Sequence, residues 1–162
     1  MKTLFLVRHA KAGTGEADHL DRDRPLTGHG EAQAAHMGER LAGRGVRAQW
    51  LLSSPAARAL ATARLVAGKI GHDTGSIAVD ECLYEARMST VLERVRRLDD
   101  ALDTVVLFGH NPAFAELANR LSPTISRMPT AAVAGFTFDV GSWSEVGRVA
   151  PATVSFDCPG ET

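Results

Sequence analysis

The sequence predicts an α/β fold: a three-layer α/β/α sandwich with a mostly parallel central sheet and an antiparallel C-terminal edge. Three observations point there. Short apolar runs alternate with segments of helical periodicity up to about residue 121, which is the rhythm of βαβ units with right-handed crossovers. Beyond that point the apolar residues recur loosely at every second position, as in antiparallel strands. The chain has 162 residues, within the usual domain length of about 100–200 residues, so residues 1–162 are expected to form a single domain.

Each element has its own warrant. Thr3-Leu4-Phe5-Leu6-Val7 is a continuous apolar run with β-branched and aromatic members, the pattern of a strand buried on both faces. Residues 11–25 are polar and carry two glycines; a loop of that length in a small domain is usually functional. A helix is expected from 27 to 44, with Thr27 as N-cap, Ala34, Met37 and Leu41 on one face, and Gly45 as the left-handed residue past its end. Residues 49–53 read as a second strand. Pro55 opens a second helix with Ala57, Ala61 and Leu65 on one stripe and Gly68 and Gly71 near its end. Ile77-Ala78-Val79 is a weak strand, and Ser89 caps a third helix carrying Val91, Leu92, Val95 and Leu98. Thr104-Val105-Val106-Leu107-Phe108 is the strongest strand pattern, and Pro112 starts a fourth helix through Leu117 and Leu121. Residues 133–140 and 146–156 are expected to pair as edge strands, turning at Gly141-Ser142.

Composition excludes several functions. The chain carries 18 Lys+Arg against 19 Asp+Glu, a formal net charge of −1, so neither a nucleic acid nor an anionic membrane surface is an expected partner. The N-terminal apolar run stops at Arg8-His9, short of the about 7–15 apolar residues of a secretory signal, and a cytoplasmic location is expected. Cys82 and Cys158 are far apart and in no C-x-x-C pattern, which fits two free thiols in a reducing compartment. His19, His29, His36 and His72 show no metal-ligand spacing, so they are expected on the surface and no metal or other cofactor is expected. A monomer is favoured.

In open α/β sheets, ligands collect outside the carboxyl ends of the strands. The first strand ends on Arg8-His9, the second on Ser53-Ser54-Pro55 with Arg58 one helical turn later, and the strongest strand on Gly109-His110-Asn111-Pro112. Of the basic residues 15 are Arg and 3 are Lys, so a single Arg-His pair carries no information. What carries it is the joint placement: two imidazoles and two guanidiniums converge on one sheet edge, with Gly109 expected to allow a close backbone approach.

Those segments, Arg8-His9-Ala10-Lys11-Ala12, Arg24-Pro25-Leu26-Thr27 with Gly30, Ser53-Ser54-Pro55-x-x-Arg58-Ala59 and Gly109-His110-Asn111-Pro112, together resemble the histidine phosphatase superfamily (phosphoglycerate mutase-like). Within it they are most similar to the small SixA-type phosphohistidine phosphatase branch. The resemblance runs from the first strand to about Leu121, with the motifs in the family's order. It implies that His9 is a nucleophile phosphorylated during turnover, with Arg8, Arg58 and His110 around the phosphoryl group and Asn111 and Lys11 as further substrate contacts. Ala10 stands where many members have Gly, a change tolerated if that backbone is not left-handed.

The chemistry suits these residue types. Phosphoryl transfer is mostly positioning plus charge stabilisation, and guanidinium forks grip phosphate oxygens bidentately. His9 has to attack as neutral imidazole, which adjacent guanidiniums favour, with its second nitrogen held by an acceptor such as a backbone carbonyl. His110 is expected to donate to the transferred group. The resemblance also implies a general acid after the third strand, and Leu83-Tyr84-Glu85 fits, with Glu81 the neighbouring competitor. A phosphohistidine substrate relaxes that need, because its imidazole can be protonated on the other nitrogen and leave neutral. The short chain leaves little room for a cap, so an open pocket is expected, walled by residues 11–25 with Lys11, Arg22 and Arg24 as contacts. The expected function is therefore a cofactor-independent phosphatase acting on phosphohistidine in a partner protein. The alternatives are a phosphomonoesterase for small phosphates and a non-catalytic phosphate-binding module.

Overall fold

A computed structural model of the chain describes residues 1–16 and 20–160; His19 lies outside them. The strands are β1 (Lys2–Arg8), β2 (Trp50–Ser53), β3 (Ala78–Val79), β4 (Thr104–Gly109), β5 (Val133–Phe138) and β6 (Thr153–Asp157). The helices are α1 (Gly28–Gly43), α2 (Ala57–Ile70), α3 (Met88–Arg96) and α4 (Ala113–Leu121). One six-stranded sheet runs β3-β2-β4-β1-β5-β6. The pairs β1/β4, β2/β4 and β2/β3 are parallel, and β5 and β6 add the antiparallel edge. This is the expected α/β/α sandwich.

The sheet alternates its side chains between two cores, as the period of a strand requires. Leu4, Leu6, Val105 and Leu107 pack with Val91, Leu92 and Val95 of α3 and Phe114 and Leu117 of α4. Phe5, Val7, Val106 and Phe108 face the other way, onto Ala34, Met37 and Leu41 of α1 and Ala63 and Val66 of α2. Leu4, Leu6, Val7, Val106 and Phe108 are fully enclosed, and each such side chain contributes about 1.5–3 kcal/mol relative to exposure. Burial on both faces explains why β1 and β4 read as unbroken apolar runs.

Local signals held where side chain and backbone cooperate. The Thr27 hydroxyl accepts from the Gly30 amide at 3.0 Å and caps α1, and Gly45 and Gly71 are left-handed (both φ 76°) just past or at the ends of α1 and α2. Two expectations need correction. Helix α3 begins at Met88, with Arg87 at the N-cap position and no side-chain cap bond, so Ser89 lies inside the first turn. The second edge strand is only Thr153–Asp157, and its connection from β5 contains the 3-10 turn Trp143–Glu145 instead of a tight turn at Gly141-Ser142. The reason is Trp143: it is fully buried, its indole N–H donates to the Leu102 carbonyl at 2.8 Å, and its amide donates to Asp100 Oδ1 at 2.9 Å. Filling the core with that ring pulls residues 143–146 out of the sheet.

Candidate active site

Strands β1, β2 and β4 end side by side, in parallel and in register, with Arg8 opposite Gly109 and Ser53 opposite Phe108. Two further bonds carry this alignment past the strands: His9 N–H to the Gly109 carbonyl at 3.0 Å and Ser54 N–H to the Phe108 carbonyl at 3.0 Å. Arg8, His9, Ser54 and His110 are thus set together by the backbone ladder itself. The first turn of α2 brings Arg58 alongside them.

These residues form a surface cleft of about 360 Å³, lined by Arg8, His9, Arg58, His110 and Asn111, with Lys11, Ala12 and Arg24 from one wall and Thr130 from another. A larger depression of about 420 Å³ over α3, lined by Cys82, Ser89 and Arg94 among others, has no histidine in its lining, and its two arginines are paired with carboxylates, Arg94 with Asp80 and Arg97 with Glu93. Chemistry, not size, selects the cleft. Of the expected site residues, Arg8, His9, Lys11, Arg58, His110 and Asn111 come together there. Glu85 does not: it is exposed, it lies outside the lining, and its backbone is left-handed (φ 53°). Glu81 is also exposed and pairs with Arg22 at 3.2 Å, so Arg22 turns to that carboxylate and to the Tyr84 ring, 5.4 Å from its centroid.

The two histidines differ in how they are held. His9 is buried, and its Nδ1 lies 2.8 Å from the Ala10 carbonyl. A carbonyl only accepts, so Nδ1 carries the proton and Nε2 keeps its lone pair. Burial, followed by the charges of Arg58 and Arg8, lowers the His9 pKa to about 4; the guanidiniums expected to depress it do so, but desolvation contributes more. His110 stands 5.2 Å from His9, ring centre to ring centre. Its pKa is lowered to about 3, again by burial first, then by His9 and Arg58. Its Nε2 is 2.7 Å from Ser54 Oγ. Ala10 is not left-handed, since Glu85 and Ala131 are the non-glycine residues at positive φ among the described residues; its amide donates to Thr62 Oγ1 at 3.0 Å.

Three buried donor-capable atoms have no protein partner among the described residues: Nε of Arg8, Nε of Arg58 and Nδ1 of His110. Buried polar groups are seldom left unpaired, and three from separate elements suit an anion with several oxygens. Other nitrogens of the two guanidiniums are held by the protein. Arg8 donates to the Met128 carbonyl at 3.2 Å, and Arg58 donates to the Asp21 carbonyl at 2.8 Å and to Asp21 Oδ2 at 3.1 Å. Asp21 also accepts from the Tyr84 hydroxyl and from Arg24 Nε. The Tyr84 bond foremost, with help from Arg58 and Arg24, holds its carboxyl at about 2, and the same bond pushes the Tyr84 phenol up.

Ser54, Asp21 and Tyr84 had no assigned role in the sequence reading, because their bonds span 56, 37 and 63 residues and leave no local pattern. Gly109 has a different purpose from the one expected. A Cβ there would sit 2.6 Å from the Phe114 ring, so the residue makes room for core packing beneath His110. Elsewhere, His29 and His36 are exposed and His72 is half-buried, no cluster of metal-ligating side chains occurs among the described residues, and Cys82 and Cys158 are free thiols. No described helix is long and apolar enough to cross a membrane.

With this geometry in place, comparison with known proteins is decisive. The family model described as histidine phosphatase superfamily (branch 1) matches residues 4–132. The chain belongs to that superfamily. Its sequence is 30% identical to the Mycobacterium tuberculosis protein named "Uncharacterized protein Rv1276c", over 94% of this chain and 99% of that one. It is 27% identical to the Arabidopsis thaliana protein "Uncharacterized protein At3g52155, chloroplastic", over 89% of this chain and 70% of the relative. The solved structure of the protein histidine phosphatase SixA complexed with tungstate superposes with a TM-score of 0.78 and 26% identity, covering 96% of this chain and 94% of that one. The histidine phosphatase fold, the SixA-type group and a phosphatase activity follow for this chain.

Proposed function

We propose that this histidine phosphatase hydrolyses phosphohistidine on a partner protein, with His9 as the covalently phosphorylated nucleophile. The observation that carries the reading is the lining of the cleft, which among the described residues has two imidazoles and four cationic side chains but no carboxyl group. Asp21, the nearest carboxylate to Arg58, is held ionised far below neutral pH and has no proton to give. An alkoxide leaving group needs such a proton. A phosphorylated imidazole does not, since it can take a proton from water on its free nitrogen and depart neutral.

The His9 Nε2 lone pair attacks phosphorus while the substrate P–N bond breaks, its electron pair returning to the departing imidazole nitrogen. Arg8, Arg58 and His110 hold the equatorial oxygens, where charge is spread in the transition state. Water then attacks the His9 phosphoryl group, releasing inorganic phosphate and regenerating the imidazole. SixA, whose structure was solved with tungstate, supports the choice of ligand, because tungstate is a tetrahedral oxyanion like phosphate. A cleft walled by strand ends and loops, with no inserted helical subdomain among the described residues, suits a phosphorylated side chain presented by another protein.

Trapping tests this. Brief incubation with a phosphohistidine peptide followed by an alkaline quench should leave an acid-labile phosphate on His9, and His9→Ala should abolish both label and turnover. Turnover surviving in that variant removes His9 as nucleophile. Glu85→Gln should leave the phosphohistidine rate unchanged; a large drop on that substrate would restore Glu85 as the acid and favour an ester substrate instead.

A further inference from the structure

His110 reaches the cleft with one ring nitrogen engaged and the other bare, and the engaged one rests on a residue without an assigned role. Ser54 is fully buried. Its Oγ has two neighbours within hydrogen-bonding distance among the described residues: the Ala56 amide, which donates to it at 3.1 Å, and His110 Nε2 at 2.7 Å. A serine hydroxyl has one proton to give and two lone pairs. The Ala56 amide occupies one lone pair and can accept nothing. If His110 Nε2 also donated, the proton of this fully buried hydroxyl would have no acceptor among the described residues, an arrangement buried hydroxyls avoid. The satisfied arrangement is the opposite one, in which Oγ–H donates to a lone pair on Nε2. The incoming amide bond polarises the hydroxyl and strengthens that donation.

We infer that Ser54 is a positioning residue that locks His110 in the Nδ1–H tautomer, so that this residue offers the phosphoryl group a hydrogen-bond donor while still uncharged. The bare Nδ1 is then the donor, and no prior protonation is needed. The depressed pKa of His110 agrees, since a ring that stays neutral at working pH can donate only through a fixed tautomer. The two histidines are thereby set alike by different partners. A backbone carbonyl fixes His9 so that Nε2 is a nucleophile, and a serine hydroxyl fixes His110 so that Nδ1 is a donor. The assignment rests on His110 serving the phosphoryl group as proposed above, but its test needs no turnover.

The test is ¹⁵N NMR of the imidazole nitrogens in the free, full-length protein at neutral pH, assigned with His110→Gln. We expect His110 to show a protonated Nδ1 and a lone-pair Nε2, and Ser54→Ala to move it toward the Nε2–H form. Turnover of a phosphohistidine peptide should then fall about tenfold, the scale at which an orienting partner contributes, with Ser54→Thr restoring both tautomer and rate. A protonated Nε2 in the wild-type protein overturns the inference, as does Ser54→Ala with an unchanged tautomer. Should Ser54→Ala not fold, the wild-type spectrum decides alone. Failure of the His9 trap with an Nδ1–H signal at His110 would instead count against the proposed reaction and leave the tautomer lock standing.

Discussion

Arg58 combines two demands on one side chain. Two of its nitrogens hold Asp21, and the third, Nε, is buried and has no protein partner among the described residues. A guanidinium can do this because its donors are fixed in one plane; an ammonium cannot hold a carboxylate and an oxyanion in fixed relation. Arg58→Ala should lower the rate on a phosphohistidine peptide by about 10²-fold or more, the scale for losing one charge-stabilising donor. An unchanged rate would remove Arg58 from the chemistry. Asp21, with half its side chain exposed, ties its own 3-10 turn to α2 through Arg58 and to Tyr84. Arg8, His9, Arg58 and His110 were legible as candidates because each lies at a strand end or in the first turn of the helix that follows one. Asp21 and Tyr84 were not, since what matters is which side chain meets Arg58 after folding.

At the scale of elements, α1 is placed by a backbone approach. A Cβ on Gly30 would lie 2.0 Å from the Lys11 carbonyl oxygen, and that oxygen also accepts from the Thr27 amide at 3.0 Å. Only glycine lets the first turn of the helix lie against the chain just after His9. Gly30→Ala should destabilise the fold by about 1–3 kcal/mol, as overpacking does. Gly68→Ala, in α2 where a Cβ meets open space, should be neutral or stabilising by up to about 1 kcal/mol. Denaturant unfolding of the two variants checks the contrast, and equal effects would mean that the approach of Gly30 to residue 11 is not a constraint. The sequence marked Thr27 and Gly45 as helix ends, because capping is a local interaction. It could not mark the need for Gly30, which arises from contact with a segment outside the helix.

Across the whole molecule, burying two neutral imidazoles makes stability depend on pH. Unfolded, His9 and His110 bind protons near their ordinary pKa of about 6.5; folded, they resist protonation down to about 4 and about 3. Between these values the unfolded chain binds more protons than the folded one, so stability falls as pH drops from about 6.5 toward 4. Thermal melts should show this decline, and replacing both residues with Gln should flatten it over that window. An identical decline in the double variant would assign the acid sensitivity to other groups. Bound phosphate should oppose the trend, because a ligand that binds the folded chain alone stabilises it.

The sequence by itself determined the layers, the strands that carry the site and the four residues that come together in the cleft, because periodicity, caps and strand ends are short-range consequences of residue type. Tertiary structure decided what holds those residues. The tether of Arg58 to Asp21, the hydroxyl of Ser54 on His110, the gathering of imidazoles and guanidiniums in one cleft and the insertion of Trp143 that shortens β6 all arise between segments far apart in the chain. Only packing sets such distances, and hydrogen bonds and charges act over a few ångströms of space irrespective of separation along the sequence.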